Sequence, residues 1–471
     1  MEKLEKFRAL GLSENTLRAI KDKGFLEPTA IQERTIPILL RGDIDVVGQA
    51  QTGTGKTAAF ALPLIERLEE AGFVQALVLV PTRELAVQVS EEINSLKGNK
   101  KLRVVPIYGG HSMELQLRWL REGVDIVVGT PGRILDHVKR KSLKLGSISH
   151  LILDEADEML NMGFIEDVEE ILNSAATEKR MLLFSATMPE RILDIAKNYM
   201  RRYELITLKQ QLTTDLTDQI YFEISSSDKF KALCRIIDVE KEFYGLVFCR
   251  TKLDVENVAN KLMEMGYNAK ALHGDISQNQ RERILNRFRN KRINVLVATD
   301  VAARGIDIND LTHVINYALP HDPESYVHRI GRTGRAGKEG TAITFVTPED
   351  QRRLHFIKRI AKTNIRREKL PEMEDVIKAK LTRIKREIED IIESGGHQDY
   401  IKTAKELLEE NEAEKVLAAL LNRSFKDELN KRKYSVVQDV LIESNGSDNN
   451  RRARRKNRTI YKNGKNGWHG F

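Results

Sequence analysis

LILDEADEML, the sequence of residues Leu151–Leu160, joins a short apolar run directly to a cluster of acids. Leu151–Leu153 is typical of a strand buried in a parallel sheet. The next four residues contain three carboxylates, which are costly to bury unless a cation or a charged ligand compensates them. Because ligands of open α/β sheets bind at the carboxyl ends of the strands, this stretch indicates a metal–nucleotide site. An acidic turn that faces water is the alternative for this stretch alone.

On both sides of this stretch, an apolar strand, a turn of small residues and a helix follow one another repeatedly. The pattern indicates mainly parallel sheets flanked by helices, and a polar stretch separates two such runs. The first run predicts strands at Asp45–Gly48, Ala76–Val80, Arg103–Tyr108, Asp125–Val128, Leu151–Leu153 and Met181–Phe184. The second run predicts strands at Gly245–Phe248, Ala269–His273, Asn294–Ala298, His313–Tyr317 and Thr341–Val346. We therefore predict an α/β fold with two tandem parallel-sheet domains, 35–208 and 219–371, preceded by helices at 1–34 and joined by a linker at 209–218.

The composition is that of a soluble globular protein with more than one core. The chain has 471 residues, of which 41% are hydrophobic and 31% charged. No apolar run reaches the roughly 18–20 residues of a membrane span, and the charged N-terminus lacks the apolar stretch of a signal peptide. Cys234 and Cys249 form neither a disulfide framework nor a metal-ligand set, so we expect a cytoplasmic, reducing setting.

A helical extension is predicted at 372–443. Its apolar residues recur at alternating spacings of four and three, as in a packed helix face that needs a partner. That partner is another helix of the extension, the second domain or a second copy of the chain. The residues of this stripe are Ile377, Leu381, Ile384, Ile388 and Ile391.

The last segment, 444–471, is a linker followed by a basic tail. From 449 onward the chain has eight Lys or Arg and no acid, which equals its whole net charge of +8. We expect the tail to be disordered. Its cations and the aromatic residues Tyr461, Trp468 and Phe471 can follow a nucleic-acid strand, and a solubilising tail is the alternative.

A phosphate-binding loop follows the first predicted strand, at Ala50–Thr57 (AQTGTGKT). Its glycines allow backbone N–H groups to turn toward phosphate oxygens at the start of a helix. Lys56 is expected to contact the β- and γ-phosphates of ATP, and Thr57 to hold Mg²⁺. Asp154 is then placed to bind Mg²⁺ as well, and Glu155 to orient and deprotonate the attacking water. The predicted reaction is phosphoryl transfer from a nucleoside triphosphate to water.

With these motifs in order, the chain resembles a DEAD-box ATP-dependent RNA helicase of superfamily two, over nearly all of residues 7–346. The resemblance implies two RecA-like domains and a segment before the phosphate loop in which Phe25 stacks on adenine and Gln32 contacts its edge. It also implies that Ser185, Thr187, Asp157 and His328 couple the ATP state to domain closure. The implied catalytic residues are Lys56, Asp154, Glu155, Arg332 and Arg335. The implied ATP-binding residues are Phe25, Thr29, Gln32, Gln51, Thr52, Gly53, Thr54, Gly55, Lys56, Thr57, Gly305 and Asp307.

RNA contacts are implied on loops of both domains, because several loop motifs match those of the family in order and spacing. They are expected to contact phosphates and 2′-hydroxyls, without reading the base sequence of single strands or short duplexes. The implied residues are Pro81, Thr82, Arg83, Gly110, Thr130, Pro131, Gly132, Arg133, Gly274, Asp275, Gln278, Arg281, Thr299 and Asp300.

The activity that follows is RNA-stimulated ATP hydrolysis coupled to closure of the two domains and to local unwinding. Arg332 and Arg335 lie far along the chain from Lys56, so the domains must close before these cations reach the phosphates. An ATP-gated RNA clamp uses the same residues and remains the alternative. The helical extension is similar to the dimerising segment of prokaryotic cold-shock members, which implies a homodimer through 372–433.

Overall fold

The computed structural model describes residues 4–42, 44–50, 53–208, 216–303, 306, 311–334 and 338–425. Within these residues the strands form two parallel seven-stranded sheets, which confirms the predicted fold class. The strands of the first sheet are β1 (Asp45–Gln49), β2 (Ala76–Leu79), β3 (Val104–Ile107), β4 (Ile126–Gly129), β5 (His150–Leu153), β6 (Arg180–Ser185) and β7 (Tyr203–Thr207). Those of the second are β8 (Thr217–Glu223), β9 (Gly245–Phe248), β10 (Ala269–Leu272), β11 (Val295–Ala298), β12 (His313–Asn316), β13 (Gly340–Val346) and β14 (Arg366–Arg367).

Helices connect and flank these strands. Those of the N-terminal half are α1 (Glu5–Ala9), α2 (Glu14–Asp22), α3 (Ala30–Arg41), α4 (Lys56–Arg67), α5 (Arg83–Leu96), α6 (Met113–Arg121), α7 (Pro131–Lys139), α8 (Ala156–Asn161), α9 (Ile165–Ser174) and α10 (Glu190–Tyr199). Those of the second domain are α11 (Lys229–Val239), α12 (Lys252–Glu264), α13 (Gln278–Arg289), α14 (Asp300–Ala303), α15 (Pro323–Ile330) and α16 (Gln351–Ala361). The extension forms α17 (Met373–Glu393), α18 (Ile401–Glu410) and α19 (Ala413–Phe425). Short 3₁₀ turns lie at Pro348–Asp350 and Gln398–Tyr400.

Strand order places the acidic stretch at the centre of the first sheet. The order is β3-β4-β2-β5-β6-β1-β7, and each neighbouring pair is parallel. All carboxyl ends therefore lie along one edge. The residues after β1, β5 and β6 lie close together there, because β5 adjoins β6 and β6 adjoins β1.

Three strands were absent from the predicted set. β7 is an edge strand with three exposed residues out of five, and β14 has only two residues, so neither carries a clear apolar pattern. β8 begins at Thr217, within the predicted linker 209–218. The linker prediction was therefore wrong for its last two residues, while 209–215 lie outside the described part of the chain.

The N-terminal helices are part of the first domain, and the predicted boundary between 34 and 35 falls inside α3. Phe7, Leu17 and Ile20 are buried in the same apolar core as residues of β1 and α4. Arg180, at the start of β6, donates hydrogen bonds to the carbonyl oxygens of Leu39 (2.7 Å) and Ile44 (3.0 Å). These contacts satisfy the C-terminal end of α3 and fix the helix beside β1.

The extension begins as part of the second domain. α17 packs on α11 and buries Val376, Lys380 and Ile384. The predicted stripe is correct at Ile384, whereas Leu381 is 40% and Ile391 51% exposed, so the second domain covers only part of it. Within α18 and the described α19 no residue is buried. The tail 444–471 lies outside the described residues, and none of the described helices could span a bilayer.

Candidate functional site

The phosphate-binding loop turns sharply between β1 and α4. Gly53 (φ 82°) and Gly55 (φ 87°) adopt left-handed backbone conformations, which favour glycine. A side chain on Gly55 would also lie 2.5 Å from the Gln32 amide nitrogen. Thr54 and Thr57 lie in the described part of this loop and helix, whereas Gln51 and Thr52 lie outside it.

Lys56 is the first residue of α4, and its side chain is buried. Its Nζ atom has no hydrogen-bond partner among the described residues. A buried ammonium group without hydrogen bonds is unfavourable in a folded protein unless a ligand supplies acceptors. The site therefore fits the phosphates of ATP, whose oxygens would satisfy this cation.

Gln32 connects the segment before α3 to the phosphate loop. Its side-chain oxygen accepts a hydrogen bond from the backbone N–H of Thr29 (3.0 Å), and its amide donates to the Gly55 carbonyl (3.1 Å). The implied contact with adenine would therefore use the second amide hydrogen or an exchange of partners. Phe25 is half-buried and packs against the core of the first domain.

The acids after β5 are buried at the centre of the sheet edge. Burial raises the pKa of the Asp154 carboxyl, and the Lys56 ammonium partly offsets this rise. The pKa of Glu155 is raised by burial as well, and Lys56 and Arg332 lower it. Glu155 lies in the left-handed region (φ 53°, ψ 50°), which is strained for a residue with a side chain. Strain and buried charge of this kind are typical of functional sites.

A magnesium ion fits this arrangement without a protein cage. Among the described residues no group of three or more His, Cys, Asp or Glu could hold a metal. Mg²⁺ usually keeps several waters and is bound by one or two carboxylates together with substrate phosphates. Asp154, with Thr57 at the start of α4, supplies the protein oxygens for that kind of site.

Asp157 ties the acidic turn to the end of β6. Its Oδ2 atom accepts hydrogen bonds from the backbone N–H (2.9 Å) and the hydroxyl (3.0 Å) of Thr187. Its own N–H donates to the hydroxyl of Ser185 (3.2 Å). Three of the residues implied to couple ATP state to closure therefore form one hydrogen-bonded unit.

The second domain brings its cations to this edge on α15 and the turn after it. His328 Nδ1 lies 2.6 Å from Oε1 of Glu158, which follows the three predicted acids. Arg332 donates to the Ile306 carbonyl (3.2 Å), and its charge is one of the causes that lower the pKa of Glu155. Gly305, Asp307 and Arg335 lie outside the described residues.

The RNA-assigned residues of the first domain lie on loops after β2, β3 and β4. Arg83 packs over Gly110, where an added Cβ would be 2.4 Å from a guanidinium nitrogen. Thr82 follows Pro81, and its hydroxyl caps α5 by accepting a hydrogen bond from the backbone N–H of Leu85 (3.3 Å). Thr130, Pro131 and Gly132 form the start of α7.

Arg133 has a largely structural environment. Its side chain is 15% exposed, and it donates to the side-chain oxygen of Gln116 (3.1 Å) and the His111 carbonyl (3.4 Å). Gln116 is fully buried and also donates to the Tyr108 carbonyl (3.0 Å). Arg133 therefore holds the loop that contains Gly110, and it can act on RNA through that loop.

The RNA-assigned residues of the second domain include several that already have partners. Both carboxylate oxygens of Asp300 accept hydrogen bonds from Arg329 (2.5 and 2.7 Å), which leaves each oxygen a further acceptor site. Asp275 pairs with Lys252 (2.6 Å) in an exposed ion pair. Gly274 is surrounded by open space, and the Thr299 hydroxyl caps α14.

Contacts between the two domains also form on this side of the molecule. Arg281 pairs with Glu84, and it donates to the Ala302 carbonyl (2.6 Å). Arg83 donates to Gln278 (3.4 Å). Two RNA-assigned residues of the second domain thus contact the loop after β2 in the first domain.

The sequence-based reasoning gave no role to Gln116 or Glu158, and it included Glu84 only within the RNA-contact motif that contains Arg83. Glu158 continues the acidic run, so its charge was a visible signal, and Glu84 adjoins Arg83. Gln116 carries no sequence signal, because a single amide on a helix gives no indication of its buried partners.

Three family comparisons match successive parts of the chain. Residues 29–195 match the DEAD/DEAH box helicase family, and residues 228–337 match the helicase conserved C-terminal domain. Residues 371–433 match the RNA helicase DeaD dimerization domain.

Two relatives are similar to most of the chain. The chain is 47% identical over 417 residues to the DEAD-box ATP-dependent RNA helicase CshA of Geobacillus kaustophilus, covering 88% of this chain and 89% of the relative. It is 46% identical over 424 residues to the ATP-dependent RNA helicase CshA of Limosilactobacillus reuteri, covering 90% and 85%. Among solved structures it is similar to S. cerevisiae Dbp5 bound to RNA and ADP BeF3, with a TM-score of 0.72 and 32% identity over 80% of this chain and 99% of that one.

Proposed function

This chain belongs to the DEAD-box family of ATP-dependent RNA helicases, and we propose that closure of its two domains on RNA completes its ATPase site. The observation that carries this proposal is the contact of the acidic turn with α15, where His328 lies 2.6 Å from Glu158. The same contact brings the turn that contains Arg332 to the buried Glu155. Neither domain alone has both the acids and these cations.

Within the first domain, the roles follow from position. Lys56 and the backbone of Gly53 and Gly55 bind the phosphates of ATP, and Thr57 and Asp154 hold Mg²⁺. When bound, Mg²⁺ neutralises charge on the phosphate oxygens. Glu155 orients the attacking water and accepts its proton. In this scheme Arg332 and Arg335 supply the positive charge that stabilises the transition state.

RNA is proposed to lie across the loops that follow β2, β4 and β11. Arg83 and Thr130 follow the neighbouring strands β2 and β4, and Thr299 follows β11 of the second sheet. Backbone N–H groups and hydroxyls at these strand ends suit phosphates and 2′-hydroxyls. A single strand held by both domains favours closure, so RNA binding and ATP hydrolysis stimulate each other. A duplex whose strand is bent into the cleft is separated locally.

Two measurements test this function. ATPase rates with RNA and with DNA of equal length should show stimulation by RNA alone. Displacement of a short RNA duplex should require ATP hydrolysis. If ATP instead prolongs retention on single-stranded RNA without displacing a strand, the chain is an ATP-gated RNA clamp and the unwinding part of the proposal is wrong.

The extension 372–433 is proposed to form a homodimer. Its match to a dimerization family and its exposed apolar residues support this, with Leu417 55% and Leu420 49% exposed. Light scattering should show a dimer for the full chain and a monomer for the Leu417→Glu, Leu420→Glu variant. Lys415→Glu, on the same helix, serves as the matched control and should remain dimeric.

A cytoplasmic location is proposed as well. Both cysteines are free and buried, which suits a compartment in which thiols stay reduced.

A further inference from the structure

Glu158 is a buried carboxylate that marks the contact between the domains but has no role in the proposed chemical step. Its side chain is 5% exposed and lies on α8, after the catalytic acids. Its Oε1 atom is 2.6 Å from Nδ1 of His328, which belongs to the second domain and is 21% exposed. A separation of this length between a carboxylate oxygen and an imidazole nitrogen is typical of an ion pair.

The neighbouring Asp157 is not the direct partner of His328. Its Oδ2 atom already accepts two hydrogen bonds from Thr187, and its Oδ1 atom accepts one from the N–H of Glu158. Glu158 is therefore the residue through which the acidic turn contacts α15. Because α8 and α15 belong to different domains, this pair exists only when the domains are together.

We propose that Glu158 is a positioning residue, which binds protonated His328 across the domain boundary and so holds Arg332 at the ATPase site. This inference rests on the proposed closure mechanism and adds a named residue to it. Arg332 lies four residues after His328, at the end of the turn that follows α15. When the pair breaks, both groups return to water and the turn is free to leave the site.

The electrostatic surroundings favour the protonated form of His328. Asp157 and Glu155 face it from the first domain, and Glu324 and Arg332 lie on its own segment. Burial lowers the pKa of His328. The contact with Glu158 and the negative charges of Glu158, Asp157 and Glu155 together raise this pKa by more than burial lowers it. The net direction is upward from its ordinary value.

The sign of the pH effect follows from this direction. The reference for the separated domains, in which Glu158 is absent from His328, is the ordinary histidine pKa of about 6.5. Closure therefore has the full benefit of the pair below that pH, and loses it as the pH rises through the raised pKa. The RNA concentration needed for half-maximal ATPase should increase over that range.

The experiment uses the full chain and measures RNA-stimulated ATPase from about pH 6 to 9, which spans ordinary and raised histidine values. In wild-type protein the half-maximal RNA concentration should rise with pH. In Glu158→Gln it should be about tenfold higher or more at the acid end and nearly independent of pH, since a charged hydrogen bond is lost. Glu158→Asp, which keeps the charge, should keep the pH slope.

Two controls make the outcome interpretable. Glu166→Gln removes an exposed carboxylate of the same domain and should follow the wild-type profile. His328→Gln combined with Glu158→Gln should be no worse than either single variant, because both remove the same interaction.

Parallel pH profiles for wild-type and Glu158→Gln would overturn the inference, as would equal loss of slope in the Asp and Gln variants. An absence of RNA stimulation in wild-type protein would instead contradict the proposed function. The two failures are therefore distinguishable.

Discussion

The two domains have the same sheet topology but carry different residues at the ends of corresponding strands. The first sheet has the order β3-β4-β2-β5-β6-β1-β7 and the second β10-β11-β9-β12-β13-β8-β14, so the strands correspond one to one. β1 leads into the phosphate loop, whereas its counterpart β8 leads into Ile224 and Ser225. β5 leads into four acids within five residues, whereas its counterpart β12 leads into Tyr317 and Ala318. One fold therefore supplies a nucleotide site in the first domain and cations in the second.

The loops assigned to RNA do not follow this division. β2 and its counterpart β9 are followed by Arg83 and Arg250, and β4 and its counterpart β11 are followed by Thr130 and Thr299. Both domains thus carry cations and hydroxyls at equivalent strand ends. Under the proposed function, RNA contact is therefore shared between the domains, while ATP hydrolysis needs residues of both domains and depends on closure.

Loss of the Arg332 guanidinium, which the second domain contributes to the ATPase site, should have the largest effect on activity. Arg332→Ala should lower the RNA-stimulated turnover by about 10³ to 10⁵, as for an arginine finger. ATP binding to the first domain, followed with a fluorescent ATP analogue, should persist. Arg287→Ala, which removes an exposed arginine of α13, is the matched control. A loss below about tenfold would mean that the first domain supplies its own positive charge.

Removing the catalytic carboxylate from the first domain should come next. Glu155→Gln should lower single-turnover hydrolysis by about 10² to 10⁴, the usual contribution of a general base, while RNA and ATP stay bound. Burial raises the pKa of Glu155. Because only the ionised carboxylate can accept a proton, the wild-type rate should fall as the pH is lowered through this raised pKa. The Glu155→Gln variant should not show this fall in rate at low pH. If the fall persists in the variant, it is caused by the titration of another group.

Breaking the buried pair behind α17 should test whether the extension belongs to the second domain as α3 belongs to the first. Lys380 Nζ lies 3.0 Å from Asp238, which also accepts from the Tyr267 hydroxyl (2.7 Å). Lys380→Met removes this ammonium group from a buried carboxylate and should lower the free energy of unfolding by about 3–5 kcal/mol. Denaturant unfolding measures this change. Arg366→Met breaks the exposed pair with Asp218 and should change it by about 1 kcal/mol or less.

The second sheet joins the corresponding strands differently: the Asn316 amide of β12 donates to the Thr344 hydroxyl of β13 (3.1 Å), and the hydroxyl of Thr347 after β13 donates to the nearby Asp350 (2.9 Å). Asp157→Asn weakens the hydrogen bonds from Thr187 and should reduce the ratio of ATPase rates with and without RNA by about 10- to 100-fold. Thr347→Val, directly after β13 in the other sheet, should leave that ratio within a factor of about three. Equal effects would remove the distinction between the two sheets.

The smallest effect is expected from the tail, which lies outside both domains and outside the described residues. Deleting 449–471 removes eight cations and no acid. Each cation that contacts RNA contributes about −0.7 to the slope of log affinity against log salt. Titrations over a range of salt should show a flatter slope and weaker binding at low salt, with the saturated ATPase rate unchanged. A fall in the saturated rate would place the tail in the catalytic cycle.

Some sequence-based predictions failed where partners come from far along the chain. The helices of 1–34 were separated from 35–208, but Phe7 and Ile20 pack into the first domain's core. The pairing of Arg329 with both oxygens of Asp300 was likewise not predicted. Neither contact leaves a periodic pattern, because each joins single residues of different elements.

Local patterns were sufficient for the fold class, the central strands and the phosphate loop. Strand burial, turn glycines and a lysine at a helix start are properties of neighbouring residues, so the amino-acid sequence already contains them. Three ion pairs depend instead on how separate elements pack: Glu158 with His328, Lys380 with Asp238, and Arg281 with Glu84. These contacts arise only when the folded domains bring opposite charges together at low exposure, and no local pattern encodes that distance.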